Sequence, residues 1–281
     1  MTTSQKNQNE LIPDWLSKNL TTAAKIVNKP KKVKSSGKLK LGIDLGTSDV
    51  VSVILDENNK PLAACLKWAD VVRDGVVLNF YGASQIVREQ VALLNEKLGV
   101  ELTVANTSFP PGTDPRISVN VIEAAGLEVE SVIDEPSAVA NLLALDEAAV
   151  VDIGGGTTGI AVLSKGKVIY SGDEPTGGRH VTLTIAGSLG LSYEDAEQMK
   201  IEKGKEVWPI VKPVFEKMAD IVREHIKGHN VKSLYLSGGT CTLPGVKALF
   251  ETEFPGFQVA LPENPIFFTP YAIAAYSKET E

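Results

Sequence analysis

At 281 residues, 43 % hydrophobic and 22 % charged, the chain has the make-up of a folded globular protein with one large core or two modest ones. The first 40 residues hold nine lysines against Glu10 and Asp14, a charge of +7, so on a net of −7 the rest carries −14; this split argues against a nucleic-acid groove and for a tether or partner contact. Cys65 and Cys241 form no CxxC pair, no apolar run approaches the ~20 residues of a membrane span, and no secretion signal is legible, so a disulfide framework is excluded and a cytoplasmic protein is expected.

Leu11, Ile12, Trp15, Leu16, Leu20, Ala23 and Val27 recur at three- and four-residue spacing, which predicts an amphipathic helix opened by Pro13-Asp14. Its stripe either packs on the body or docks a partner. Residues 29–40 (KPKKVKSSGKLK) read as a linker, so 1–37 form a basic arm. Lys40 to Leu45 and Val50 to Leu55 read as strands around a Gly-Thr-Ser turn, and Asp56-Glu57-Asn58-Asn59 turns the chain into a third, Pro61 to Trp68. Helical spacing covers Gly82 to Leu98. The pattern then repeats. Ala149 to Ile153, a glycine turn, Gly159 to Leu163, Lys165-Gly166 and Val168 to Tyr170 form a second meander, followed by helices over Val181 to Gly190 and Tyr193 to Gly204. Meander plus helices, twice, predicts two similar α/β lobes, 38–144 and 145–265, with a C-terminal helix from about 266 returning to the first.

Each meander's first strand ends in Asp-(Leu/Ile)-Gly. A glycine turn lets backbone N–H groups approach phosphate oxygens, and Asp44 or Asp152 can hold a magnesium-bound water. Gly46, Thr47 and Ser48 in one turn, and Gly154, Gly155, Gly156, Thr157 and Thr158 in the other, are the candidate phosphate ligands. One such turn is common in hairpins; two in matching meanders point to a triphosphate held between lobes. Glu135 stands beside Pro136, which opens a helix of small residues; an acid there also suits the helix dipole. Ser233 to Gly239 is a strand ending in Gly238-Gly239, with room for a base or ribose before Thr240, and Pro270 opens a last small-residue helix. His225 and His229 have ligand-like spacing without a third partner, so no metal site is expected there.

In order, Asp-Leu-Gly-Thr, Glu-Pro-Ser-Ala, Asp-Ile-Gly-Gly-Gly-Thr, Leu-Ser-Gly-Gly-Thr and Pro-x-Ala-x-Ala resemble the five motifs of the actin, Hsp70 and sugar-kinase ATPase superfamily, over about Lys38 to Ser277. Thr107 to Pro111, the helix from Arg116, Gly126-Leu127 and Gly177-Gly178 resemble its Hsp70 and FtsA branch. The runs WADVVRDGVV (Trp68 to Val77), TSFPPGTDPRIS (Thr107 to Ser118), VDIGGGTTGIAV (Val151 to Val162) and VKPVFEKMADIV (Val211 to Val222) resemble a chaperone-like ethanolamine-utilization family, encoded with ethanolamine ammonia-lyase and bacterial microcompartment proteins.

The resemblance implies an actin-like (ribonuclease H-like) fold, two lobes each with a mixed sheet flanked by helices, and binding of ATP and Mg²⁺. It makes Asp44 and Asp152 the magnesium-water aspartates and Glu135 the acid that positions the hydrolytic water. Glu197 and Lys200, three apart on one helix face, fall beside adenine and ribose, with Gly238, Gly239 and Thr240 on the base side. The segment Trp68 to Thr103 is too short for the extra Hsp70 subdomain, and no match to its phosphate-binding lysine is found. Gly159 and Thr242 replace an acid and an arginine found there in Hsp70. Slow ATP hydrolysis is therefore expected, in an assembly or chaperone-like factor whose partners are ethanolamine ammonia-lyase or microcompartment shell proteins. No β-rich peptide-binding domain is expected after the last motif, so extended-peptide binding in the Hsp70 manner is not expected either. A filament-forming or tethered FtsA-like protein and a small-molecule kinase remain as alternatives.

Overall fold

The structure, a computed structural model, describes residues 11–29, 32–33, 37–69, 72–73 and 76–277. Residues 30–31 and 34–36 of the linker read at 29–40 lie outside them.

A first helix, α1 (Asp14–Ile26), precedes the meander β1 (Lys40–Leu45), β2 (Asp49–Leu55) and β3 (Pro61–Trp68). Two antiparallel two-residue strands, β4 (Val72–Arg73) and β5 (Val76–Val77), lead into α2 (Phe80–Leu98), then β6 (Val104–Phe109), α3 (Pro115–Ala124), β7 (Glu128–Asp134) and α4 (Glu135–Leu143). The second half runs β8 (Ala148–Ile153), β9 (Thr158–Ser164), β10 (Lys167–Glu174), α5 (Gly178–Leu189), α6 (Tyr193–Glu202), α7 (Gly204–Ile226), β11 (Ser233–Ser237), α8 (Val246–Glu253), β12 (Gln258–Ala260) and α9 (Phe268–Ala275).

The strands form two five-stranded sheets, β3-β2-β1-β6-β7 and β10-β9-β8-β11-β12. In both, the meander is antiparallel and the two later strands add in parallel to its first strand. The repeat read from the motifs is thus a repeat of topology. Strand β6 (VANTSF) was not foreseen, because its middle is polar. Thr107 donates to the Ile43 carbonyl at 3.0 Å, and Asn106 donates through Nδ2 to the Ile273 and Tyr276 carbonyls at the end of α9, so these donors are buried satisfied, whereas Asn106 Oδ1 is buried without a partner among the described residues.

Strand alternation sorts side chains into three cores. Leu41, Ile43 and Leu45 face α2 and α3 on the outside of the first sheet. Val151, Ile153, Ile160 and Val162 face α5, α7 and α8 outside the second. The third core lies between the sheets, where Val51, Val53, Ala148 and Val150 meet α1, α4 and α9. Helix α4 leaves the first sheet but packs on β8 and β9, whereas α9 leaves the second and packs on β1 and β2. Gly42 makes the second contact possible: a Cβ there would stand 2.4 Å from the Ala274 backbone nitrogen.

The stripe of α1 belongs to this central core. Leu16, Leu20 and Ala23 are buried, Val27 bridges to Ala64 on the edge of β3, and the Asn28 side chain holds both the N–H and carbonyl of Leu66. The stripe is therefore an intramolecular surface, and the docking reading loses its apolar face. The helix read at Tyr193 to Gly204 ends at Glu202, and Gly204 opens the 23-residue α7, which accommodates Pro209 and Pro213.

Candidate nucleotide-binding cleft

The chemistry-bearing residues stand on the sheet faces that look at each other. Asp44 pairs with Val51, so Asp44, Val51 and Asp49 share the central face of the first sheet. By the same alternation Asp152 lies with Ala148 and Val150 on the central face of the second. Between them is a cavity of about 640 Å³ bordered by both glycine turns.

The turns touch. A Cβ on Gly155 would stand 2.0 Å from Ser48 Oγ, and one on Gly156 would stand 2.6 Å from Thr47 Oγ1, so side chains are excluded where the lobes meet. The second turn is tied to α5: Gly178 N–H donates to the Gly154 carbonyl at 3.0 Å and Arg179 N–H to that of Gly155 at 2.7 Å. Thr240 Oγ1 also donates to the Gly154 carbonyl, at 2.7 Å. Protein donors thereby satisfy both carbonyls and fix the turn.

Four carboxylates crowd the end of the cavity where the two turns meet. Asp44 is pushed up to about 7, first by burial and then by the charges of Asp152 and Asp49, while Ser108 Oγ, donating at 2.8 Å, pulls the other way. Asp49 is also pushed up to about 7, by burial and by Asp152. Asp152 rises to about 6 through burial, against hydrogen bonds from Thr269 and Ser237. Glu135, the first residue of α4, rises well above the usual range through burial and the charges of Asp44, Asp152, Asp173 and Asp134. Asp134 caps that helix by accepting from Ser137 N–H at 3.1 Å.

At the other end Lys200 Nζ meets Glu197 at 2.7 Å and also donates to Thr182 Oγ1 at 2.8 Å. Burial holds the Lys200 ammonium below its usual range, partly offset by Glu197. Gly238, Gly239, Thr240 and Ile266 form the adjoining wall.

The cavity brings together Asp44, Glu135, Asp152, Gly46, Thr47, Ser48, the turn from Gly154 to Thr157, Glu197, Lys200 and Gly238 to Thr240. Thr158 is the exception. Alternation turns it to the outer face, where its hydroxyl donates to the Thr176 carbonyl at 2.6 Å, so its place among the phosphate ligands is withdrawn. Asp49, Thr269, Lys203 and Lys205 were missed. Asp49 was legible in Asp-Leu-Gly-Thr-Ser-Asp; Thr269 reaches Asp152 only through the fold. His225 lies between Tyr170 Oη at 2.6 Å and Glu174 at 3.1 Å.

A magnesium nucleotide fits this donor set. The carboxylates offer hard oxygens, and among the described residues no Lys or Arg forms an ion pair with Asp44, Asp49, Glu135 or Asp152. The glycine turns leave room for phosphate against the backbone.

A family model for the cell division protein FtsA matches residues 149–272. Ethanolamine utilization protein EutJ of Escherichia coli (strain K12) is 56 % identical over 265 residues, covering 94 % of this chain and 95 % of that one. The crystal structure of ethanolamine utilization protein EutJ from Carboxydothermus hydrogenoformans superposes with a TM-score of 0.86 at 41 % identity, over 93 % and 98 % of the two chains. MreB 5 of Spiroplasma citri bound to AMPPNP superposes with a TM-score of 0.66 at 16 % identity, over 86 % and 97 %, a likeness of fold. The two-sheet architecture is that of the actin-like ATPases.

Proposed function

The chain belongs to the ethanolamine utilization protein EutJ family, and from that premise we propose that it is a nucleotide-dependent assembly or chaperone-like factor of ethanolamine utilization that binds and slowly hydrolyses Mg-ATP. One observation carries the reading: uncompensated carboxylates from both sheets converge where two glycine turns meet. Its partners in this reading are ethanolamine ammonia-lyase or microcompartment shell proteins.

Asp44 and Asp152 would hold the metal through water, and the metal when bound would neutralise phosphate charge. Backbone N–H groups of Gly46 to Ser48 and Gly155 to Thr157 bind phosphate oxygens in place of water, while the Gly154 N–H closes the second turn by donating to the Thr157 carbonyl at 3.0 Å. Glu135 orients the attacking water and takes its proton; its carboxyl is held above the usual range, which brings its basicity toward neutral pH. Glu197, Lys200 and Gly238 to Thr240 hold the nucleoside. The Glu197–Lys200 pair fixes both side chains before ligand arrives, which reduces the ordering cost of binding.

Thermal melting tests this. Mg-ATP at about a hundred times its dissociation constant adds roughly 2.7 kcal/mol, or about 5–10 °C for a protein of this size. Asp152→Asn removes most of that shift. Glu135→Gln keeps the shift and loses phosphate release. No shift in the unmodified protein at millimolar Mg-ATP overturns the nucleotide reading.

A further inference from the structure

Asp49 opens β2 on the same sheet face as Asp44. Its Oδ1 lies 3.2 Å from where a Cβ on Gly46 would stand, so the carboxylate folds back over the first turn. It borders the same cavity as Asp152 of the opposite sheet. A turn-stabilising aspartate shows itself by hydrogen bonds to nearby backbone: Asp56 accepts from Asn58 and Lys60, and Asp134 from Ser137. Asp49 makes no hydrogen bond or ion pair among the described residues. No described residue neutralises its carboxylate.

The repeat sharpens the point. Asp49 follows Asp44 by five positions, as Thr157 follows Asp152, so the two turns present a carboxylate and a hydroxyl at matching places. A hydroxyl donates to a phosphate oxygen, whereas a carboxylate repels it unless a cation stands between them.

We propose that Asp49 is a cation-positioning residue of the first turn, which makes nucleotide binding conditional on a divalent metal. The inference rests on the reading of the cleft as a Mg-nucleotide site. Both turns offer backbone N–H groups to the phosphates and an aspartate to the metal; the first adds a second carboxylate, Asp49, where the second has the Thr157 hydroxyl. Metal-free nucleotide meets the charge of Asp49 at close range and is rejected.

The experiment titrates a fluorescent ATP analogue into unmodified protein, Asp49→Asn, Asp49→Ser and Asp49→Glu, each in magnesium and in EDTA. Binding, not turnover, is read, and melting curves confirm that each variant is folded. The unmodified protein binds much more tightly in magnesium. Asp49→Asn and Asp49→Ser reduce the magnesium-to-EDTA affinity ratio by at least about tenfold, mainly by gaining affinity in EDTA, and Asp49→Glu retains the ratio. An unchanged ratio in folded Asp49→Asn and Asp49→Ser overturns the role of Asp49 alone. Loss of binding in both conditions for those two variants assigns the residue to turn structure and also overturns it. Failure of the unmodified protein to bind in either condition overturns the cleft reading itself.

Discussion

The carboxylates of the cleft set a pH dependence opposite to that of ordinary surface acids. Asp44 and Asp49 titrate near 7 and Asp152 near 6 in the folded protein, against a carboxylate value of 3.8. Between these values the folded state holds more protons than the unfolded chain, so the stability these groups contribute is present below about 4 and lost as pH rises through 6 to 7. In EDTA, urea unfolding midpoints should therefore fall between pH 5 and pH 7.5. Magnesium nucleotide replaces those protons with metal, so its stabilisation should be larger at pH 8 than at pH 5.5. A midpoint that rises across this range in EDTA would remove the grounds for a clustered acidic site. Thr269 and Ser108, which donate to Asp152 and Asp44, hold the carboxylates in place without removing their mutual repulsion.

Among the elements, α1 shows how far a sequence pattern reaches. The spacing of Leu16, Leu20 and Ala23 announces a helix with one apolar face but carries no information about what covers it. The fold supplies the cover, β3 and α9, and Asn19 Nδ2 donates to Tyr271 Oη at 2.9 Å. Leu20→Ala should cost about 2–5 kcal/mol and lower the melting temperature by several degrees. An unchanged melting temperature with weakened partner capture would return α1 to the role of docking helix. The meanders were legible because strand, glycine turn and strand are local signals in a dozen residues. Strands β6 and β7 were not, since burial of Asn106 and Thr107 depends on α9 and β1, distant in sequence. The site followed the same division. Asp44 and Asp152 announce themselves beside glycine turns, while Thr158 looked identical to Thr157 until the pleat set them on opposite faces.

At the scale of the molecule, the two sheets exchange helices. Helix α4 continues from β7 yet lies on β8 and β9; α9 follows β12 yet lies on β1 and β2; and the two helices pack on each other. Any rotation of one sheet against the other must pass through this pair, whose small residues Ala138, Ala140, Ala272 and Ala274 lie in one buried core. The first turns of both helices, at Glu135 and Thr269, border the same cavity as the two glycine turns; in the proposed reading a triphosphate gripping both glycine turns favours closure by its contacts to each, and a diphosphate gives up part of that grip. A ligand shifts such an equilibrium only by its difference in affinity for the two states, and a coupling of roughly 1–3 kcal/mol, or about 5- to 150-fold in partner affinity, is typical. Spin labels at Glu96→Cys on α2 and Lys217→Cys on α7 report the inter-lobe distance, because Cys65 and Cys241 are buried and escape labelling. The distance should be shorter in Mg-ATP than in Mg-ADP. Gly42→Ala, whose new Cβ must push α9 off β1, should shrink the difference while nucleotide still binds. Equal distances in both nucleotides would make the ligand a structural brace between the sheets, and partner affinity should then be the same with ATP and ADP.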